Sequence, residues 1–436
     1  MKFYSTNNSA HRVDFRDAVL TGLPPDNGLY MPENIPQIPV EKIRAFGQMT
    51  FQEIANVMAD NLLSESIEPH VLRKVIETAI NFDAPLVSVE PDIFSLELFH
   101  GPTLAFKDFA ARFMAQLMGH FVQNDDRELT ILVATSGDTG SAVANGFYRV
   151  PGIRVIVLYP SGKVSQTQEK QLTTLGENII ALEIDGTFDE CQTLVKQAFL
   201  DGELQKNFRL TSANSINIAR LIPQSFYYGY AWSRLPKPFG DSVFSVPSGN
   251  FGNLTAGLMA TIAGVPITRF VAATNVNDVV PAYLQNGEFL PKPSVHTISN
   301  AMDVGNPSNF VRMLALFNHD LGRIRKSVSG FAFTDEETRK TMREIYDRTG
   351  YVLDPHGAVG YLGLQQFLAR QTGKWQGVFL ETAHPVKFLD VVESTIGISP
   401  EISAQLTEAL SKEKIARSLP SEFSIFKNYL MDALRK

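Results

Sequence analysis

The sequence predicts an α/β protein made of two open, mostly parallel twisted sheets flanked by helices, with a mixed N-terminal region and a helical C-terminal tail. Three observations predict it. From about residue 129, short apolar strands alternate with helical patterns, an order that puts strands parallel and helices on both faces. A second series of the same kind starts at DSVFSV. The frame S-G-[D/N]-x-G also occurs twice, in ATSGDTGSAVA at 134–144 and in VPSGNFGNLTA at 246–256, each time between a strand and a helix.

Residues 1–95 mix strand and helix signals and read as a region packing on the large domain. Residues 96–215 form a small α/β domain, with ELTILVA, IRVIVLY, NIIALEI and FRLTSA as strands and patterns such as SQTQEKQLTTLG and DECQTLVKQAFL as helices. Residues 216–436 form a large α/β domain on DSVFSV, RFVAATN and GVFLETA, closing with C-terminal helices. Two such halves place a ligand site between them, at the carboxyl ends of strands.

Composition narrows the function. The chain has 436 residues, 44% hydrophobic and 19% charged, as ordinary globular proteins do. No apolar run is long enough for a membrane span, and MKFYSTNNSAHRVDF lacks the apolar core of a signal peptide, so a cytoplasmic protein is expected. The single cysteine, Cys191, rules out an intrachain disulfide or a multi-cysteine metal site, and its helical context suggests packing. A net charge of −7 gives no basic footprint for nucleic acid, so an anionic ligand must be attracted by local groups.

One local group stands out. In FHGPTLAFKDFAARF at 99–113, Lys107 directly precedes an apolar helix face formed by Phe109, Ala110, Phe113, Met114, Leu117 and Met118. Partial burial and the positive end of a helix dipole both disfavour an ammonium there, so the Lys107 pKa should fall. A neutral lysine amine is a nucleophile suited to a Schiff base with a substrate carbonyl or with pyridoxal phosphate. The two glycine loops add a pair of anion sites, because tight turns expose amides at helix N-termini. Neither loop fits the dinucleotide or nucleoside triphosphate signatures.

A Schiff-base lysine followed about 140 residues later by a glycine-rich cradle resembles the tryptophan-synthase-like, fold type II pyridoxal phosphate enzymes. Within them the chain resembles the threonine synthase family, through FHGPTLAFKDFAARF, ATSGDTGSAVA, YPSGKVSQTQEKQ, SANSINIARL, SVPSGNFGNLTAG, AATNVNDVVP, NAMDVGNPSN and TAHPVKF, with PDNGLYMPENIP at the N-terminal end. The resemblance implies conversion of O-phospho-L-homoserine and water to L-threonine and phosphate, with pyridoxal 5'-phosphate as cofactor and neither membrane nor nucleic acid as partner. A monomer or homodimer is expected.

The resemblance also implies roles. Lys107 would hold the cofactor and shuttle protons. Gly249, Asn250, Phe251, Gly252 and Asn253 would hold its phosphate, although the asparagines serve equally as helix caps and Phe251 equally as packing. Thr382 would face the pyridine nitrogen. Ser136, Gly137 and Thr139 would receive the substrate carboxylate, and Asn214, Ser215 and Arg220 the substrate phosphate, at the start of a helix placed from Ile216 on. Ser161 and Lys163 could add to the anion site, or Lys163 could be exposed. His384 reads either as a catalyst or as a residue of the turn before Pro385. Many fold type II relatives carry asparagine where this chain has Asp138, beside the cofactor's phenolic oxygen. Two anions there are unfavourable, so the expectation is that Asp138 turns into a cap or that one partner is protonated.

Overall fold

The computed structural model describes residues 1–135, 137–238, 240–402 and 404–434. Two sheets organise it. Five strands run all parallel in the order Arg417–Pro420, Ile179–Asp185, Ile153–Pro160, Leu129–Ala134 and Arg209–Ser212. Leu129–Ala134 is buried at every position because helices cover both faces, which is why LTILVA reads as an unbroken apolar run. Six further strands line up as Val328–Ala332, Arg269–Thr274, Asp241–Pro247, Trp375–Glu381, Ile93–Glu97 and Leu86–Glu90. All neighbours pair in parallel except the last two, which form an antiparallel edge. Near the N-terminus, Arg12–Val13, Phe3–Ser5 and Tyr30–Pro32 make a small antiparallel sheet.

The fold class is as the sequence predicts, and three boundaries move. Ile93–Glu97 is a strand of the six-stranded sheet, so a division at 95/96 cuts through it. The C-terminal tail is not purely helical: Arg417–Pro420 pairs with Leu182–Asp185 at the edge of the five-stranded sheet. Leu419, Phe426 and Leu430 share a buried cluster there with Cys191, whose thiol burial pushes up to about 12, in keeping with packing. The third change concerns SANSINIARL. Its helix starts at Ile218, because the Asn217 side chain accepts from the Ala219 N–H and caps it, leaving Asn214 and Ser215 in a turn.

Both sheets direct the segments of interest the same way. Residues 135, 137–138, 213–217, 248–252 and 382–384 each follow the carboxyl end of a strand, so the topology puts them at the carboxyl ends of the two sheets.

Candidate active site

Lys107 is the first residue of the helix Lys107–Val122, as its apolar periodicity requires. The turn before it is fixed from two sides. Thr103 donates to Asp108 twice, from its N–H (2.8 Å) and from its hydroxyl (2.6 Å). On the other side the Phe106 N–H donates to the Thr382 carbonyl (2.9 Å) and the His384 N–H to the Leu104 carbonyl (3.0 Å). Leu104 takes a left-handed conformation, φ 58°, which these bonds hold against its steric cost. Burial lowers the Lys107 pKa, with Lys387 and Arg220 acting in the same direction against Asp138. That is the poised amine the sequence implies.

Asp138 does not become the cap that is one of the two alternatives expected of it. The helix Asp138–Phe147 begins with it, yet its carboxylate makes no cap. Oδ1 lies 2.5 Å from the Lys387 Nζ and accepts from the Gln168 amide (2.9 Å), while Oδ2 faces the Lys107 Nζ at 3.6 Å. Burial alone would raise the pKa of this carboxyl, but the Lys387 and Lys107 charges outweigh it and hold Asp138 ionised, far below the usual carboxylate range. The adjoining Gly137 has φ +151°, and a Cβ there would meet the Gln168 amide at 2.5 Å, so the loop requires glycine. Thr135 braces the same loop by accepting from the Gly137 and Gly140 N–H groups. Thr139 is half-buried beside them. Ser136 lies outside the described residues.

The second glycine loop opens the helix Gly252–Ile262, with Phe251 buried at φ 61° just before it. Neither asparagine side chain caps this helix. The Asn250 Oδ1 accepts from the Ser308 N–H and hydroxyl, and the Asn253 Oδ1 from the hydroxyls of Tyr227 (2.6 Å) and Tyr228 (2.7 Å). With its oxygen held by two donors, the Asn253 amide turns the other way, and its buried Nδ2 has no partner among the described residues. Asn309 repeats the device: Arg312 donates to its Oδ1 (2.7 Å) and its buried Nδ2 has no partner among the described residues. That nitrogen is 3.4 Å from where a Gly252 Cβ would stand. A Cβ on Gly249 would meet the Ala301 carbonyl at 2.8 Å and the Met302 Cα at 2.9 Å. A glycine-walled helix N-terminus flanked by orphaned amide donors fits a phosphate group.

The third loop carries Arg220, which is 2% exposed. Its Nη1 donates back to the Ala213 carbonyl (2.6 Å), whereas its buried Nε and the buried Asn214 Oδ1 have no partner among the described residues. Burial pulls the Arg220 pKa down to about 10. Arg312, fully buried, stitches this loop to the cradle by donating to the carbonyls of Ser215 (3.3 Å), Ile216 (2.7 Å) and Tyr30. The three candidates Asn214, Ser215 and Arg220 are thus brought together, through a turn rather than a helix start.

Thr382 is buried at the end of Trp375–Glu381 and reaches the lysine turn through its carbonyl. His384 is occupied structurally, since its Nδ1 accepts from the Val386 N–H and caps the short helix Pro385–Phe388. Lys163 departs from the site. It is exposed on the turn after Ile153–Pro160, where the charge it meets is Glu190, and Ser161 is bound to Glu183 (2.7 Å).

Sequence reasoning missed Lys387, Gln168, Asn309, Arg312 and the fully buried Glu381. The PVKF setting of Lys387, a lysine among apolar residues, was a signal of the same kind as that of Lys107. Nothing local marks Asn309 or Arg312, which acquire meaning only when distant loops meet. Burial raises the Glu381 pKa well above its ordinary value, helped by neighbouring Asp354. Asp354 in turn bonds the His356 Nδ1 (2.6 Å), whose Nε2 accepts from the Ala301 N–H (3.2 Å). Asp354 and His356 therefore tie the start of the helix Pro355–Leu368 to the wall of the cradle, beside the Glu381 carboxyl, whose oxygens have no hydrogen-bond partner among the described residues.

Comparison with known proteins agrees with this arrangement. A family model described as pyridoxal-phosphate dependent enzyme matches residues 82–381, one for the threonine synthase N terminus matches 2–80, and one for the threonine synthase C-terminal part matches 357–430. Threonine synthase of Escherichia coli is 44% identical over 433 residues, covering 99% of this chain and 100% of its own. The chain belongs to the threonine synthase family. A crystal structure of pyridoxal-phosphate-bound threonine synthase from Brucella melitensis superposes with a TM-score of 0.93 at 35% identity, all of both chains being covered. Threonine deaminase of Solanum lycopersicum, at 14% identity, TM-score 0.55 and 85% and 97% coverage, shares the fold alone. Pyridoxal phosphate is the cofactor of the threonine synthase family, and the loop at 249–253 fits its phosphate. Among the described residues no helix is long and apolar enough to cross a membrane.

Proposed function

We propose that this chain converts O-phospho-L-homoserine and water to L-threonine and phosphate, the last step of threonine biosynthesis. The observation that carries the reading is the pair of anion loops accompanying one poised lysine: the cradle at 249–253 with its orphaned amides, and the Asn214–Arg220 loop with a buried guanidinium that has a single bond among the described residues. One anion belongs to the cofactor and the other to the substrate.

When bound, pyridoxal phosphate withdraws electrons from the substrate carbons next to the amine, which eases loss of phosphate from Cγ and addition of water at Cβ. The chain's residues do the rest. Lys107 attaches the cofactor and, once released as a free amine, takes and returns protons at the substrate carbons. Ser136, Gly137 and Thr139 orient the substrate carboxylate. Asn214, Ser215 and Arg220 grip the substrate phosphate, the guanidinium fork matching a dianion. Gly249, Asn250, Phe251, Gly252 and Asn253 hold the cofactor phosphate, with Thr382 at the pyridine nitrogen. A hydroxyl there accepts or donates a hydrogen bond without bringing the negative charge that stabilises a pyridinium. The reading places the reaction in the cytoplasm on a monomer or homodimer, and every group named comes from one chain.

A serine or threonine dehydratase of the same fold needs no second anion loop. Purified protein given O-phosphohomoserine should release phosphate and L-threonine in equal amounts. Deamination of serine or threonine with no phosphate release would overturn the assignment.

A further inference from the structure

Lys387 takes no part in the chemistry proposed for the site, and its position is unusual. Its side chain is 0% exposed, and its Nζ contacts only two acceptors among the described residues, the Asp138 Oδ1 at 2.5 Å and the Thr103 carbonyl at 2.8 Å. Burying an ammonium is unfavourable unless a paired charge compensates it. Linking the turn 382–388 to the lysine turn does not need a charge, because backbone bonds from Phe106 and His384 already do so.

The local charges explain the choice. Lys107 is faced by Asp138 at the head of Asp138–Phe147, by Lys387 on Pro385–Phe388 and by Arg220 on Ile218–Leu221, while Asp108 on its own helix acts on Arg220 and is held by Thr103. Asp138 is the anion that touches Lys107, and its other oxygen is saturated by Lys387 and Gln168. Without Lys387 that carboxylate would direct its full charge at Lys107, favouring a retained proton. With Lys387 the pair is neutral.

We propose that Lys387 is a positioning residue that, through Asp138, sets how readily the Lys107 nitrogen gives up its proton. The inference rests on Lys107 carrying the cofactor. It also explains how this chain keeps aspartate where fold relatives carry asparagine: an Asp–Lys pair supplies the neutral partner that one carboxamide supplies elsewhere.

The test is a pH titration of the cofactor's visible absorption in the holoenzyme, which reports the proton on the Lys107 nitrogen. Lys387→Met leaves Asp138 uncompensated and should move the midpoint up by about one to two pH units, the effect of a bare charge within several ångströms. Asp138→Asn should move it down, and the Asp138→Asn/Lys387→Met double variant should return it towards wild type, since removing both members of a buried pair is tolerated better than removing one. Lys387→Arg should keep the wild-type midpoint. Should Lys387→Met fail to fold, Asp138→Asn and the double variant still differ by the Lys387 charge alone. Coincident midpoints in those two, or an unshifted midpoint in a folded Lys387→Met, would overturn the proposal. If the wild-type protein shows no visible band and borohydride fixes nothing on Lys107, the cofactor assignment fails instead, which is a separate result.

Discussion

Replacing Arg220 with methionine should weaken the reaction and strengthen the fold at once. The guanidinium is 2% exposed, and the fall of its pKa from 12.5 to about 10 corresponds to about 3 kcal/mol of unfavourable charge burial. Methionine of similar length removes that cost. The loss of the bond to the Ala213 carbonyl returns about 1–2 kcal/mol, because a buried acceptor is left unsatisfied. The net gain is about 1–2 kcal/mol, an increase in Tm of about 1–2 °C for a chain of this size. The sign with pH follows from linkage. Arg220 is charged in both folded and unfolded states below about 10, so the gain is constant there and fades between about 10 and 12.5, where the folded guanidinium sheds its proton and escapes the burial cost. For catalysis, loss of a charge-assisted contact in a dry site is worth about 3–4 kcal/mol, a fall of roughly two to three orders of magnitude in kcat/KM for O-phosphohomoserine. The assays are phosphate release, thermal unfolding at pH 7 and at high pH, and the cofactor's absorption, which should be unchanged. Slow deamination of serine, which has no phosphate, should be far less affected. A variant that lost stability, colour and activity together would make Arg220 a structural residue. One that kept kcat/KM within a few-fold would move the substrate phosphate elsewhere.

Lys107→Ala should still bind pyridoxal phosphate but yield no borohydride-fixed adduct, with turnover down by several orders of magnitude; normal turnover would remove Lys107 from the mechanism. Gly249→Ala places a methyl 2.8 Å from the Ala301 carbonyl, so the cofactor dissociation constant, read by fluorescence titration, should rise at least tenfold. An unaltered constant would place the cradle elsewhere. Glu381→Gln should leave the fold intact and stabilise it increasingly with pH. The folded carboxyl resists ionisation while the unfolded one ionises near 4.5, so the wild-type penalty starts there and grows through neutral pH. A Tm difference that shrank between pH 5 and pH 8 would refute this.

Much of the site was legible because its signals are local. Lys107 declares itself by a charge at the head of an apolar stripe, and the two glycine frames by strand-to-helix turns that need small residues. What escaped was non-local. The resolution of Asp138 depends on Lys387, which is distant in sequence and arrives through the parallel strand Trp375–Glu381. The helix does not start at Ile216 because Asn217 competes for the first free N–H as a cap, a side-chain choice that periodicity does not register. The strand Arg417–Pro420 was hidden because RSLP is short, polar at its exposed positions and paired at a sheet edge.

The segment around residue 414 has a consequence for how the enzyme comes into being. Gln168, which holds Asp138, sits on the helix Gln166–Thr173. Residues 412–415 clamp that helix: Lys170 donates to the Lys412 carbonyl, the Ile415 N–H to the Thr173 carbonyl (2.7 Å), and Lys414 bridges Glu169 and Glu183. During synthesis, the residues that brace one wall of the crevice therefore leave the ribosome long after the wall itself. The wall that holds Asp138 is therefore fully braced only once the chain through residue 415 has emerged.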